Sequence, residues 1–148
     1  MKKVIRKIVV PVDFTSTTEK VINYALSVAK QLEAHVCFIH VTETFSGYDM
    51  LLVHPSFAQI TKDMKKKAEL RMEHLLEDNK DLPEGCSGKV VSGEIVEEII
   101  KYADEEKADL VVIGTHGVKG LERVLIGSVA ERVVKNSPCP VLTFNPFK

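Results

Sequence analysis

The sequence predicts a doubly wound α/β domain built on a five-stranded parallel sheet. Three observations predict it. Short β-branched, apolar runs alternate with longer runs of helical periodicity, in the order β-α-β-α-β-α-β-α-β, the pattern of parallel strands joined by crossover helices. The strand runs are nearly continuous in apolar residues rather than alternating, as strands covered on both faces are. The length, 148 residues, fits one domain spanning 1–148 and leaves no room for a second.

The elements follow in order. Residues 4–12 are rich in Val and Ile and read as a buried strand. Ser16-Thr-Thr-Glu19 has the spacing of a capping box and opens a helix. On that helix Val21, Ala25, Val28, Ala29 and Leu32 recur on one face. Residues 35–41 (HVCFIHV) form the second strand, and 43–55 a connection that is long for a compact α/β domain. Phe57, Ile60, Met64, Ala68, Met72 and Leu76 mark a second helix ending near Asn79. Pro83 and Gly85 lie in a turn, and 89–92 is a short strand. Ile95, Ile99, Tyr102 and Ala103 mark a third helix, and 109–113 (DLVVI) is a strong buried strand. A last helix begins near Ser128 within the capping-box pattern Ser128-Val-Ala-Glu131, and Pro138 stops it. Residues 139–144 are the last strand. Crossovers between parallel strands are expected to be right-handed.

Composition narrows the function. Net charge is −1, which argues against a general nucleic-acid binder, because such binding rests on a cationic excess. The lysine-rich run 62–71 is interleaved with Asp63 and Glu69 and reads as a solvated helix face. Cys37, Cys86 and Cys139 are odd in number, widely spaced and without a CxxC, so neither a disulfide framework nor a thiolate zinc site is expected. Cys139, between two prolines, reads as a small buried apolar residue. The apolar run after the basic N-terminus stops at Asp13, too short for a signal segment or a membrane span. A cytoplasmic protein that binds no membrane is the expectation. His35, His40, His54 and His74 lack metal-ligand spacing and read as core or surface residues.

In open α/β sheets ligands sit at the carboxyl ends of strands, where the strand order reverses. Two strand ends carry unusual residues: Pro11-Val12-Asp13, and Gly114-Thr115-His116-Gly117. In the order 3-2-1-4-5 the two ends share one crevice. Four of the eight glycines, Gly114, Gly117, Gly120 and Gly127, crowd into positions 114–127, which begin at the second of these ends. Glycines let the backbone approach a ligand closely, and consecutive N–H groups form a nest for an anion. Gly127-Ser128 opens a helix, whose free N–H groups and dipole favour phosphate. Lys119 and Arg123 stand nearby as cations. The segment is neither a Walker A loop nor GxGxxG. A glycine-rich connection before a capped helix explains the same residues without a ligand.

Gly114-x2-Gly117-x9-Gly127-Ser128 resembles the G-2x-G-9x-G-(S/T) signature of the ATP-binding branch of the universal stress protein family. The run GSVAERVVKNSPCPVL and the opening VVPVDF are similar to that family too, so the resemblance covers essentially the whole chain. It implies a Rossmann-like sheet in the order 3-2-1-4-5, an adenine nucleotide (ATP or AMP) at the switch point, a homodimer, and a regulatory role in stress response through an unnamed protein partner. Position by position, it implies that Pro11, Val12 and Asp13 line the adenosine site. Asp13 bonds ribose or adenine, or helps hold Mg²⁺ or Mn²⁺ with the nucleotide. Val41 meets adenine through its backbone. Gly114 and Gly117 permit close approach, and Gly127, Ser128 and Val129 hold phosphates. His116, between the glycines, is placed to touch phosphate or faces solvent. Three positions depart from the family pattern: Val118 where Arg is frequent, Ile95 where Pro or Ala is, and Phe14-Thr15 where Gly-Ser is.

The leading reading is a nucleotide-binding regulatory protein that is not an enzyme beyond slow ATP hydrolysis. Phosphoryl transfer needs a placed base and strong charge neutralisation, and no full set is visible. A slow hydrolase and a dimeric scaffold without nucleotide are the alternatives. The last strand forms a sheet edge, where prolines are tolerated and exposed pairing groups invite a partner. Pairing of Val141, Leu142, Thr143 and Phe144 with their copies gives a two-fold dimer. The 43–55 connection, with Phe45, Tyr48, Met50, Leu51 and Leu52, reads as a lid, a dimer contact or a satellite cluster. Gly127→Val is expected to abolish nucleotide binding and leave the fold intact.

Overall fold

The structure, a computed structural model, describes residues 4–43, 56–115 and 127–147. The element order is β1 (Lys7–Pro11), α1 (Thr18–Leu32), β2 (His35–Glu43), α2 (Ser56–Asp78), β3 (Cys86–Gly93), α3 (Ile95–Glu105), β4 (Leu110–Gly114), α4 (Ser128–Asn136) and β5 (Val141–Phe144). The sheet order is β3-β2-β1-β4-β5 with every pair parallel. That is the expected doubly wound class and order.

Side chains along a strand point alternately to opposite faces, and here each face meets its own helix pair. Ile8, Val10, Val36, Phe38 and Val112 pack with Val21, Ala25 and Ala29 of α1 and Met72 of α2. Val9, Cys37, Ile39, Val111 and Ile113 pack with Val96, Ile99 and Tyr102 of α3 and Ala130 and Val133 of α4. Ile8, Val9, Val10, Val36 and Phe38 are wholly inaccessible. This double cover is why their sequence shows no alternation. Gly88 lets α2 lie flat on β3, since a Cβ there would run into the Met72 sulfur. Among the described residues no helix is long and apolar enough to cross a membrane.

Several sequence expectations are corrected. β3 is longer than 89–92 and β5 shorter than 139–144. The stripe on α2 holds only in its C-terminal half: Ala68 and Met72 are buried, whereas Ile60 and Met64 are about half exposed. On α1, Ile22 takes an inward place and Leu32 is exposed. The Ser16–Glu19 capping box does not form. The N-cap is Thr17, without a side-chain cap bond. Asp13 organises the turn instead. Its Oδ1 accepts from the Thr15 N–H (3.0 Å), the Thr15 hydroxyl (2.6 Å) and the Thr18 hydroxyl. Cys139 is half-buried rather than buried, and the three cysteines are unpaired thiols.

Candidate functional site

β1 stops at Pro11 while β2 continues to Glu43, and between β1 and β4 the chain order reverses. A cleft of about 930 Å³ opens at this reversal. Its lining includes Pro11, Val12, Asp13, Val41, Gly114, Gly127, Ser128 and Val129. Eight of the ten sequence-predicted residues are thus brought together. The other two, His116 and Gly117, lie outside the described residues, as do Val118, Lys119, Gly120, Arg123 and the 44–55 part of the long connection.

The phosphate end is built from β4 and the start of α4. The Gly127 N–H donates to the Thr115 carbonyl at 2.7 Å, holding the helix start against the strand end. A Cβ on Gly127 would lie 2.5 Å from that carbonyl oxygen. Its φ of −64° is available to any residue, so close approach, not conformational freedom, requires the glycine. The expectation that Gly127→Val spares the fold is therefore corrected: the added carbons strike backbone before any ligand arrives.

The second capping box is absent as well. Gly127 is the N-cap, Ser128 is the first helical residue, and among the described residues no side chain caps the helix. Glu131 turns away to pair with Lys135 at 3.3 Å. The first-turn N–H groups of α4, which have no partners within the helix, are thus uncapped by any side chain among the described residues. α4 is braced from α3: Arg132 donates to Glu94 at 2.9 Å, and Glu94 also caps α3 through the Glu97 N–H at 2.7 Å. That N–H, with Arg132 beside it, holds the Glu94 carboxyl below its usual range.

At the β1 end, Asp13 is half-buried with its three donors on Oδ1. Phe14 follows with a φ of 57°. A left-handed backbone there costs roughly 1–2 kcal/mol in a residue with a Cβ. The ring offsets this by packing against the core and lying 4.9 Å from the His40 ring.

Among the lining residues that sequence reasoning did not place at the site are Phe14, His40, Lys67 and Arg71. Lys67 and Arg71 stand one helical turn apart on α2, inside the run read as a solvated face. Both are exposed, as expected, yet both border the cleft, and Arg71 donates to the Phe14 carbonyl at 3.4 Å. Their i,i+4 spacing beside Met64 and Ala68 was the available signal. Among the described residues no group of three or more His, Cys, Asp or Glu is arranged to hold a metal.

A model of the universal stress protein family matches residues 5–145. The chain belongs to that family. The universal stress protein MJ0531 of Methanocaldococcus jannaschii is 34% identical over 93% of this chain and 80% of its own length. The structure of MJ0577 from the same organism is 28% identical with a TM-score of 0.80, over 97% of both chains. Two more distant universal stress protein structures share the fold. One, in complex with cAMP, is 22% identical with a TM-score of 0.60, over 97% of this chain and 99% of the other. The second, from Arabidopsis thaliana with AMP bound, is 17% identical with a TM-score of 0.62, over 95% and 91%.

Proposed function

We propose that this universal stress protein binds an adenine nucleotide, ATP or AMP, in the switch-point cleft and acts as a nucleotide-dependent regulator in stress response. The observation that carries the reading is the uncapped start of α4, held against β4 by a glycine whose Cβ would strike the Thr115 carbonyl. Backbone N–H groups so placed suit an anion. The fold neighbours solved with cAMP and AMP support the choice of ligand. In this reading Ser128 and Val129 hold phosphate, Gly114 lets it approach, and Val41 meets the base. Pro11, Val12 and Asp13 border the adenosine, and Lys67 and Arg71 supply the positive field that Val118 does not. A Mg²⁺ or Mn²⁺ arriving with the nucleotide would rest on its phosphates and the Asp13 carboxylate, the usual division for magnesium.

Binding, not turnover, is the proposed activity. Asp13, which lines the cleft, already commits one carboxylate oxygen to three hydrogen bonds that organise the β1–α1 turn. A homodimer through β5 and a cytoplasmic setting complete the proposal. The test is thermal unfolding with AMP, ADP and ATP, with phosphate release followed in parallel. A ligand at about 100 times its Kd adds about 2.7 kcal/mol, or roughly 5–10 °C for a chain of this size. No shift with any of the three would overturn the reading. Steady phosphate release abolished by Asp13→Ala would move it to a hydrolase.

A further inference from the structure

The cleft draws anions from two sides. α2 packs on one face of the sheet and α4 on the other, and both border the opening. The start of α4 offers backbone N–H groups and the positive end of the helix dipole. From the opposite face α2 offers Lys67 and Arg71, one helical turn apart and both exposed. Neither cation has an ion-pair partner among the described residues. Asp63, one turn before Lys67, accepts from Gln59 instead at 3.1 Å. The Arg71 guanidinium reaches the β1–α1 turn, where it donates to the Phe14 carbonyl at 3.4 Å. Phe14 directly follows Pro11, Val12 and Asp13, the stretch that borders the adenosine in the reading above. One N–H is used there, and a guanidinium has five, in a planar fork that suits phosphate oxygens. At about 930 Å³ the cleft stands near the top of the roughly 300–1,000 Å³ range of small-molecule sites, with room beyond a single phosphate.

Resting on the nucleotide reading above, we propose that the cleft takes an adenine nucleotide with two separate phosphates. The 5′-phosphate lies at the start of α4, and a second phosphate, on the 2′ or 3′ oxygen of the ribose, is held by Lys67 and Arg71. A chain of phosphates on the 5′ carbon carries all its charge to the α4 end. A ribose phosphate carries charge to the adenosine end, where Arg71 stands. Like charges at i, i+4 repel on a bare helix, and a phosphate between them removes that cost.

The experiment compares AMP, ADP, adenosine 2′,5′-bisphosphate and adenosine 3′,5′-bisphosphate by titration calorimetry. Wild type should bind one of the two bisphosphates about tenfold to a hundredfold more tightly than AMP, the worth of a hydrogen bond to a charged group. In the double variant Lys67→Gln/Arg71→Gln that preference should fall to near one, while the ratio of ADP to AMP changes little. Both side chains are exposed, so the variant should fold, and its melting temperature without ligand checks this. With wild type the ³¹P resonance of the ribose phosphate should titrate at lower pH bound than free, as a phosphate between cations does, a readout that needs no variant. Equal binding of AMP and both bisphosphates by wild type would overturn the proposal, as would an unshifted ³¹P titration. So would a preference that survives the double variant, or a ratio of ADP to AMP that falls as far, since the cations would then serve the 5′ end. Binding of none of the four nucleotides to wild type would instead overturn the nucleotide reading, on which this rests.

Discussion

Gly127 has a packing duty besides the ligand role proposed for it. The signature spacing marks it as a ligand residue. The structure adds that its missing Cβ is what allows the start of α4 to press on the Thr115 carbonyl. Gly127→Ala should therefore lower stability by about 1–3 kcal/mol, the usual cost of overpacking, along with nucleotide affinity. Chemical denaturation and calorimetry would read the two losses separately, and unchanged stability would show that the backbone yields freely. Pro11, Val12 and Asp13 were legible because strand ends and carboxylates are visible in a one-dimensional pattern. His40 and Arg71 were not. The place of His40 depends on β2 outrunning β1 by register, and that of Arg71 on how α2 lies across the sheet. Neither register nor helix placement is written locally.

At the scale of elements, strands were read better than helix ends. The buried runs of β1, β2 and β4 announce themselves through continuous Val and Ile. Helix starts depend on which polar groups compete for the first N–H groups. At α1 the turn belongs to Asp13, and at α4 Glu131 prefers Lys135. Both capping-box patterns fail for this reason. Ser128→Ala should accordingly change the melting temperature by less than about 1 °C, against the roughly 3 °C that loss of a working cap, about 1 kcal/mol, would cause. The same variant should weaken the proposed nucleotide binding, because the hydroxyl has no hydrogen-bond partner among the described residues. A large stability loss would restore the cap. The α3–α4 brace predicts a pH dependence. The Glu94 carboxyl is held below its ordinary value of 4.5 by the Glu97 N–H and then by Arg132. A lowered carboxylate stabilises the fold above its unfolded value, and that contribution is lost as pH falls through the folded value. The melting-temperature gap between wild type and Glu94→Gln should be widest near neutrality and close below pH 4.5. A gap independent of pH would show that the brace does not act through charge.

For the whole molecule, alternation of element types made the sheet class legible. The order 3-2-1-4-5 was not derivable from propensity, because every permutation of buried strands has the same local sequence. It entered through the resemblance to the universal stress protein family. The order leaves β5 at one edge. Its inner side is committed to β4, where Pro140 and Phe144 accept from Val111 and Thr115. One face is covered by Tyr24 of α1, stacked on Phe144 at 4.4 Å. Period-two alternation turns the backbone groups of Val141 and Thr143 outward. Thr143→Pro removes an outward N–H without breaking the ladder to β4. It should convert the proposed dimer to a monomer in analytical ultracentrifugation with little loss of stability, and a persisting dimer would place the interface elsewhere. In the proposed complex one cleft holds the whole nucleotide, with phosphate at the start of α4 and base at the end of β2. A crystal structure of the chain with AMP tests it most directly. Phosphate oxygens should lie within hydrogen-bond reach of the Ser128 and Val129 N–H groups, with adenine beside Val41. AMP bound elsewhere, or with its phosphate away from α4, would contradict it.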